Sequence, residues 1–85
     1  MSSAAMNQRK TLQMTSTTMI DIILNGAART VSADWTIADL LFELHTNNRY
    51  CAVERNQQLI PREEHADCKL ADGDCVEIVT LVGGG

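Results

Sequence analysis

The sequence has no apolar run approaching the roughly 20 residues that a membrane-spanning helix takes, so no membrane span is expected. It has no apolar segment near its start either, and a secretory signal is not expected. Its three cysteines, Cys51, Cys68 and Cys75, are odd in number and widely spaced, with no C-x-x-C among them. That spacing argues against a disulfide framework or a zinc knuckle and fits reduced thiols in a cytoplasmic compartment. No Gly-rich turn of the P-loop kind joins a strand to a helix, so ATP, Mg²⁺ and other cofactors have no evident binding motif in this chain. Neither His45 nor His65 stands in a pattern with a nucleophile, and both are expected at the surface.

Positive charge is also scarce, and it is unevenly placed. The net charge is −4. Residues 1–18 contain Arg9 and Lys10 and no acid, while residues 19–85 set eleven acids against five bases, a balance of −6. An acidic domain repels phosphate backbones, which excludes nucleic acid and favours a basic protein surface as partner. Acids such as Asp74 and Glu77 are candidates for steering such docking, though most are expected to be simply solvated. At 85 residues the chain makes one domain at most, with a thin core and little room for a buried active site.

Residues 1–18 are rich in Ser, Thr, Ala, Gln and Met without a sustained period, and are expected to be a disordered N-terminal extension. Acid-poor and Ser-rich, they bear a weak likeness to a transit peptide; a different reading takes Met14 or Met19 as the natural start. From Met19 the pattern changes. "MIDIIL" is β-branched and apolar, a strand, and "NG" at Asn25-Gly26 signals a tight hairpin with a return strand over about Ala28–Ala33. In "DWTIADLLFELHTNN", Thr36 is an N-cap with Asp39 at the capping-box position, and Trp35 and Leu40 have the spacing of a hydrophobic staple. Ile37, Leu40, Leu41 and Leu44 then fall on one helical face, with Phe42 off it and Asn47-Asn48 as the expected stop. "YCAVERN" reads as a strand and "QLI" as an edge strand ended by Pro61. "REEHADCKL" reads as irregular with room for one helical turn, "ADGD" as a turn, and "CVEIVTLV" as the longest strand.

Hairpin, helix, short strands and a final apolar strand make an α+β domain with one main helix across a mixed four- to five-stranded sheet. With the first and last strands central and parallel, that is the ubiquitin-like β-grasp. The expected division is a disordered segment 1–18, a β-grasp domain 19–82 and a flexible glycine tail 83–85. Three residues after the last strand extend about 10 Å, and without Cβ atoms they can thread a narrow channel. The candidate reactive group is the carboxylate of Gly85, with Gly83 and Gly84 as its tether; the plainer reading is a frayed end. A carboxylate needs a good leaving group to react, which points to acyl-adenylate formation in another protein. Val79, Leu81 and Val82 are candidate partner contacts near this exit, as is Arg62, which equally reads as a solvated charge.

"NG", "TIADLLFEL", "VERNQQLIPRE", "LADGDCVEIV" and "VGGG" together resemble the ThiS family, the sulfur carriers of thiamin (thiazole) biosynthesis, over residues 19–85. His65 departs from it, because the family often has Trp or another bulky apolar residue there. The resemblance implies a carrier rather than an enzyme. A ThiF-like adenylyltransferase, using ATP and Mg²⁺, would activate Gly85, and a persulfide from a cysteine desulfurase or rhodanese-like donor would displace AMP. The resulting thiocarboxylate would hand its sulfur to the thiazole synthase ThiG. The MoaD family of molybdopterin synthesis shares the fold and the tail chemistry but usually carries prolines before its glycines. A ubiquitin-like modifier joined to lysines, or a plain β-grasp interaction module with an inert tail, would also fit the pattern of strands and helix. A β-grasp ferredoxin is excluded by the absence of clustered cysteines.

Overall fold

The β-branched run at Met19 forms the first strand of the structure, a computed structural model that describes residues 18–81. β1 spans Met19–Leu24 and β2 spans Ala27–Ser32. Asn25 and Gly26 form the turn with φ of 50° and 85°. A type I′ hairpin turn requires positive φ at both central residues, and Asn and Gly adopt it at least cost. The return strand begins one residue earlier than expected, pairing Ala27 with Leu24. At the other end the Thr18 carbonyl accepts a hydrogen bond from the Ala33 amide at 2.7 Å. Thr18 thus already takes part in main-chain pairing, and the rest of the N-terminal segment lies outside the described residues.

The helix, α1, spans Ile37–Glu43. Its capping box is closed: the Asp39 amide donates to Thr36 Oγ1 at 3.2 Å, and the Thr36 amide donates to Asp39 Oδ2 at 2.9 Å. Ile37, Leu40 and Leu41 are buried, and Leu44 and Trp35 pack half-buried against the same core. Trp35 thus packs onto the core just before the helix, while Phe42 is 83% exposed. The helix stops before Asn47-Asn48. His45 takes the left-handed conformation, φ 56°, and the amides of His45 and Thr46 donate back to the carbonyls of Phe42 and Leu41. This is a Schellman end with histidine in the position usually held by glycine. Asn47 instead caps a short 3₁₀ turn, Asn48–Tyr50, by accepting the Arg49 amide at 2.8 Å.

The remaining strands are β3 (Cys51–Arg55), β4 (Gln58–Ile60) and β5 (Cys75–Thr80), and the sheet order is β2-β1-β5-β3-β4. β5 runs parallel to β1 and antiparallel to β3, and "QLI" lies at the edge. α1 packs on one face of the sheet over Ile22, Val31, Val53 and Val76; the other face is uncovered among the described residues. No helix among them is long and apolar enough to cross a membrane.

The parallel β1–β5 ladder comprises only Ile23 with Cys75 and Leu24 with Val76. Asparagines from the two hairpin turns extend the grip on β5 from both sides. Asn25 donates its amide to the Val76 carbonyl, while its side chain accepts from the Ile78 amide at 2.8 Å and donates to the Ile78 carbonyl at 3.4 Å. Asn56, also left-handed at φ 53°, donates its amide to the Cys75 carbonyl and accepts the Cys75 amide on Oδ1 at 2.9 Å.

Between β4 and β5 the chain makes a 3₁₀ segment, Arg62–Asp67, that packs against α1. Here the structure corrects two expectations. His65 is not a surface residue: it is 2% exposed, with Nε2 at 3.1 Å from the Ile60 carbonyl, because the segment folds its one inward side chain under the sheet edge. Asp74 is not a free steering charge either. It is buried, accepting the Ala71 amide and Asn56 Nδ2, with Arg55 at 3.7 Å, and so it locks the turn that starts β5.

The two-sided grip makes a testable claim. Asn56→Ala loses the side-chain hydrogen bonds and places a Cβ-bearing residue without local support at positive φ, an expected loss of about 2–4 kcal/mol in urea unfolding. Asn56→Gly keeps the conformation accessible and loses about 1 kcal/mol less.

Candidate functional site

Strand alternation gives β5 two different faces. Val76 and Ile78 point to the helix side, Val76 buried and Ile78 half-buried, while Cys75, Glu77 and Val79 point to the open face. Val79 is 55% exposed and Leu81, next on that face, 52%. The Leu81 amide donates to the Tyr50 carbonyl, carrying the pairing with β3 one residue past the strand. The structure therefore brings Val79 and Leu81 together at the end of the central strand. It leaves Arg62 apart, exposed at the start of the segment that packs on the helix side. Val82, Gly83, Gly84 and Gly85 lie outside the described residues.

Register adds residues that the sequence alone did not single out. Ala52 sits opposite Val79, Leu59 opposite Glu54, and Ile23 beside Cys75, so apolar groups from four strands share the open face. Ile23 and Leu59 are exposed like Val79. Each was readable as the outward position of an alternating strand; which strands lie side by side was not. The same register sets Glu54 directly opposite Glu77, and both are exposed. Like charges on opposed positions work against pairing, so this pair is a cost carried by the sheet. Two carboxylates amid apolar side chains form a surface complementary to a basic, partly apolar partner.

The titratable groups offer little chemistry of their own. Burial pushes the Cys51 thiol up, which keeps it protonated and unreactive. Cys68 is half-buried and Cys75 exposed, and among the described residues no cysteines are paired. No group of three or more His, Cys, Asp or Glu among these residues has the geometry of a metal site.

A mixed five-stranded sheet with a short helix across one face, and with the last strand central and parallel to the first, is a ubiquitin-like β-grasp. The chain belongs to the ThiS family, whose sequence profile matches residues 22–85. It is similar to a crystal structure of the thiamine biosynthesis protein ThiS from Geobacter metallireducens, with a TM-score of 0.67 and 30% identity, over 78% of this chain and 100% of that one. It is 44% identical over 50 residues to the sulfur carrier protein ThiS of Bacillus subtilis, covering 59% of this chain and 76% of that protein. It is also 42% identical over 64 residues to a thiazole synthase of Paramagnetospirillum magneticum, covering 75% of this chain but spanning only 20% of that relative's length.

Two measurements check the geometry. In the folded protein Cys75 is alkylated by iodoacetamide readily and Cys51 only on unfolding, as peptide mapping after timed labelling reads out. Glu54→Lys replaces a repulsive cross-strand pair with an attractive one and stabilises the fold by about 0.5–1 kcal/mol in urea unfolding.

Proposed function

We propose that this chain carries sulfur for thiazole formation in thiamin biosynthesis, on the carboxylate of Gly85. The observation that carries this reading is the family match itself, which extends from Ile22 in β1 to Gly85 and so takes in Gly83 and Gly84. It is supported by a strand gripped on both sides immediately before those residues. The chain then acts as a protein substrate, and its partners supply the catalysis.

The chemistry follows from what a carboxylate lacks. A ThiF-like adenylyltransferase with ATP and Mg²⁺ lets a Gly85 oxygen attack the α-phosphorus, and pyrophosphate leaves. The acyl adenylate has a good leaving group where the carboxylate had none. A persulfide, from a cysteine desulfurase or rhodanese-like donor, attacks the acyl carbon and AMP leaves. A thiol then cleaves the S–S bond and frees the thiocarboxylate. The acceptor is a thiazole synthase of the ThiG kind. In support, a relative named thiazole synthase holds a stretch like this chain within one-fifth of its own length. Val79 and Leu81, with Ile23 and Leu59 elsewhere on the same open face, meet these partners, and Glu54 and Glu77 draw in their basic surfaces. Arg62, on the helix side, remains a solvated charge.

Intact mass spectrometry tests the proposal. After incubation with ATP, Mg²⁺, a ThiF-like enzyme and a persulfide donor, one oxygen at Gly85 is replaced by one sulfur. A chain lacking Gly84 and Gly85 gains nothing, and Cys75→Ser reacts like the wild type. An unchanged mass with an enzyme that loads its own carrier overturns the reading. Glu54→Lys, though more stable, associates more slowly with the enzyme, and stopped-flow measurement finds the deficit shrinking as salt rises.

A further inference from the structure

The open face and the tail are absorbed by the carrier reading. One edge of β5 is not. The Leu81 amide bonds to the carbonyl of Tyr50, the residue just before β3, in line with the β3 ladder, and in an antiparallel pair such bonds recur at every second residue. The main-chain groups of Val76, Ile78 and Thr80 therefore point the other way, toward β1. Val76 and Ile78 meet Asn25 there. Thr80 lies past the end of the β1 ladder, and among the described residues nothing pairs with its amide or carbonyl on that side. The last residue of β5 is thus an exposed edge of the central strand.

A groove opens beside this edge. It holds about 450 Å³ and is lined by Leu24, Ala27, Arg29, Leu44, Ile78 and Thr80. Its cause is the short helix: α1 has seven residues, and its Schellman end turns the chain away at His45, so that among the described residues nothing covers the helix-side face of the sheet beyond Leu44. Leu24, Leu44 and Ile78 are only half-buried, so the groove has an apolar floor. Arg29 stands at its rim with no carboxylate in ion-pair distance among the described residues.

We propose that this edge and groove receive an extended strand of the adenylating enzyme. The strand pairs with the Thr80 amide and carbonyl, seats an apolar side chain on Leu24, Leu44 and Ile78, and places a carboxylate beside Arg29. Strand addition to an exposed edge takes its affinity from main-chain hydrogen bonds and its specificity from pockets for alternate side chains, and both are present here. In a domain otherwise rich in acid, a lone guanidinium beside the exposed edge selects a negative group. Position narrows the occupant to a protein that takes Gly85 into its active site, because the five residues from Leu81 to Gly85 reach at most about 17 Å, which keeps such a protein near Thr80; the adenylating enzyme is the first of these to take hold of the tail. This inference rests on the carrier reading.

Amide hydrogen exchange on the full chain, free and bound to a ThiF-like enzyme, tests it. Thr80 is expected to exchange fast in the free chain and at least tenfold slower in the complex. Thr80→Pro removes only the outward donor, since this amide plays no part in the β3 ladder, and is expected to weaken enzyme binding about tenfold, the equivalent of one hydrogen bond. Arg29→Glu should weaken binding too. Should the proline variant not fold, exchange on the wild type decides. If the wild type is thiocarboxylated while Thr80 exchanges equally fast in the complex, the proposal falls and the carrier reading stands. Protection of Thr80 already in the free chain also overturns it; protection that grows with concentration would assign the edge to a second copy, and constant protection to the chain's own segments. If no thiocarboxylate forms, the carrier reading falls and this proposal with it.

Discussion

The last strand is held by a five-pair ladder to β3 on one edge and, where its pairing with β1 runs out, by amide groups that the turns lend to it. β5 shares only two residue pairs with β1, too short a parallel ladder to define its direction firmly. Asn25 supplies the missing stretch with a side chain that offers the same donor and acceptor as a peptide unit, and Ile78 receives both. Asn56 does the corresponding work across the strand at Cys75, and its side-chain nitrogen ties in Asp74. Both asparagines sit at positive φ, the conformation that Asn tolerates best among residues with a Cβ. The backbone geometry that closes each hairpin is therefore also the geometry that presents each amide to β5.

The rest of the molecule divides around that strand. Among the described residues the helix side buries nine apolar side chains, three of them contributed by the two-turn helix itself, a small core that suits a chain of this length. The open side keeps apolar groups in solvent and opposes two glutamates, neither of which improves the isolated fold. Local choices that oppose stability concentrate where a binding surface would need them.

Much of this was legible in the sequence. The hairpin turn, the capping box at Thr36 and Asp39, the helical stripe and the edge strand before Pro61 all follow short-range rules, and each stands where those rules put it. What failed was long-range or masked by composition. His45 ended the helix ahead of the asparagines, because the Schellman bonds back to Phe42 and Leu41 come from main-chain geometry that any residue able to adopt positive φ can complete. His65 hid inside a run of charged residues; the one hint was that the family often has a bulky apolar side chain there, which marks an inward position. Asp74 looked like a surface acid until the fold brought Asn56 and Arg55 to it across 18 and 19 residues of sequence. The open-face patch needed register, which no local pattern encodes. The chemistry of the tail was legible as a hypothesis, and residues 82–85 lie outside the described residues.

The parallel arrangement of β1 and β5 has a mechanical side. Any partner that draws on the C-terminal end of the chain loads β5 along its own axis. The hydrogen bonds to β3, to β1 and to the two asparagines run across that axis, so they resist together, in shear, rather than parting one at a time as in an unzipping hairpin. The fold can be pulled by its end and hold its shape.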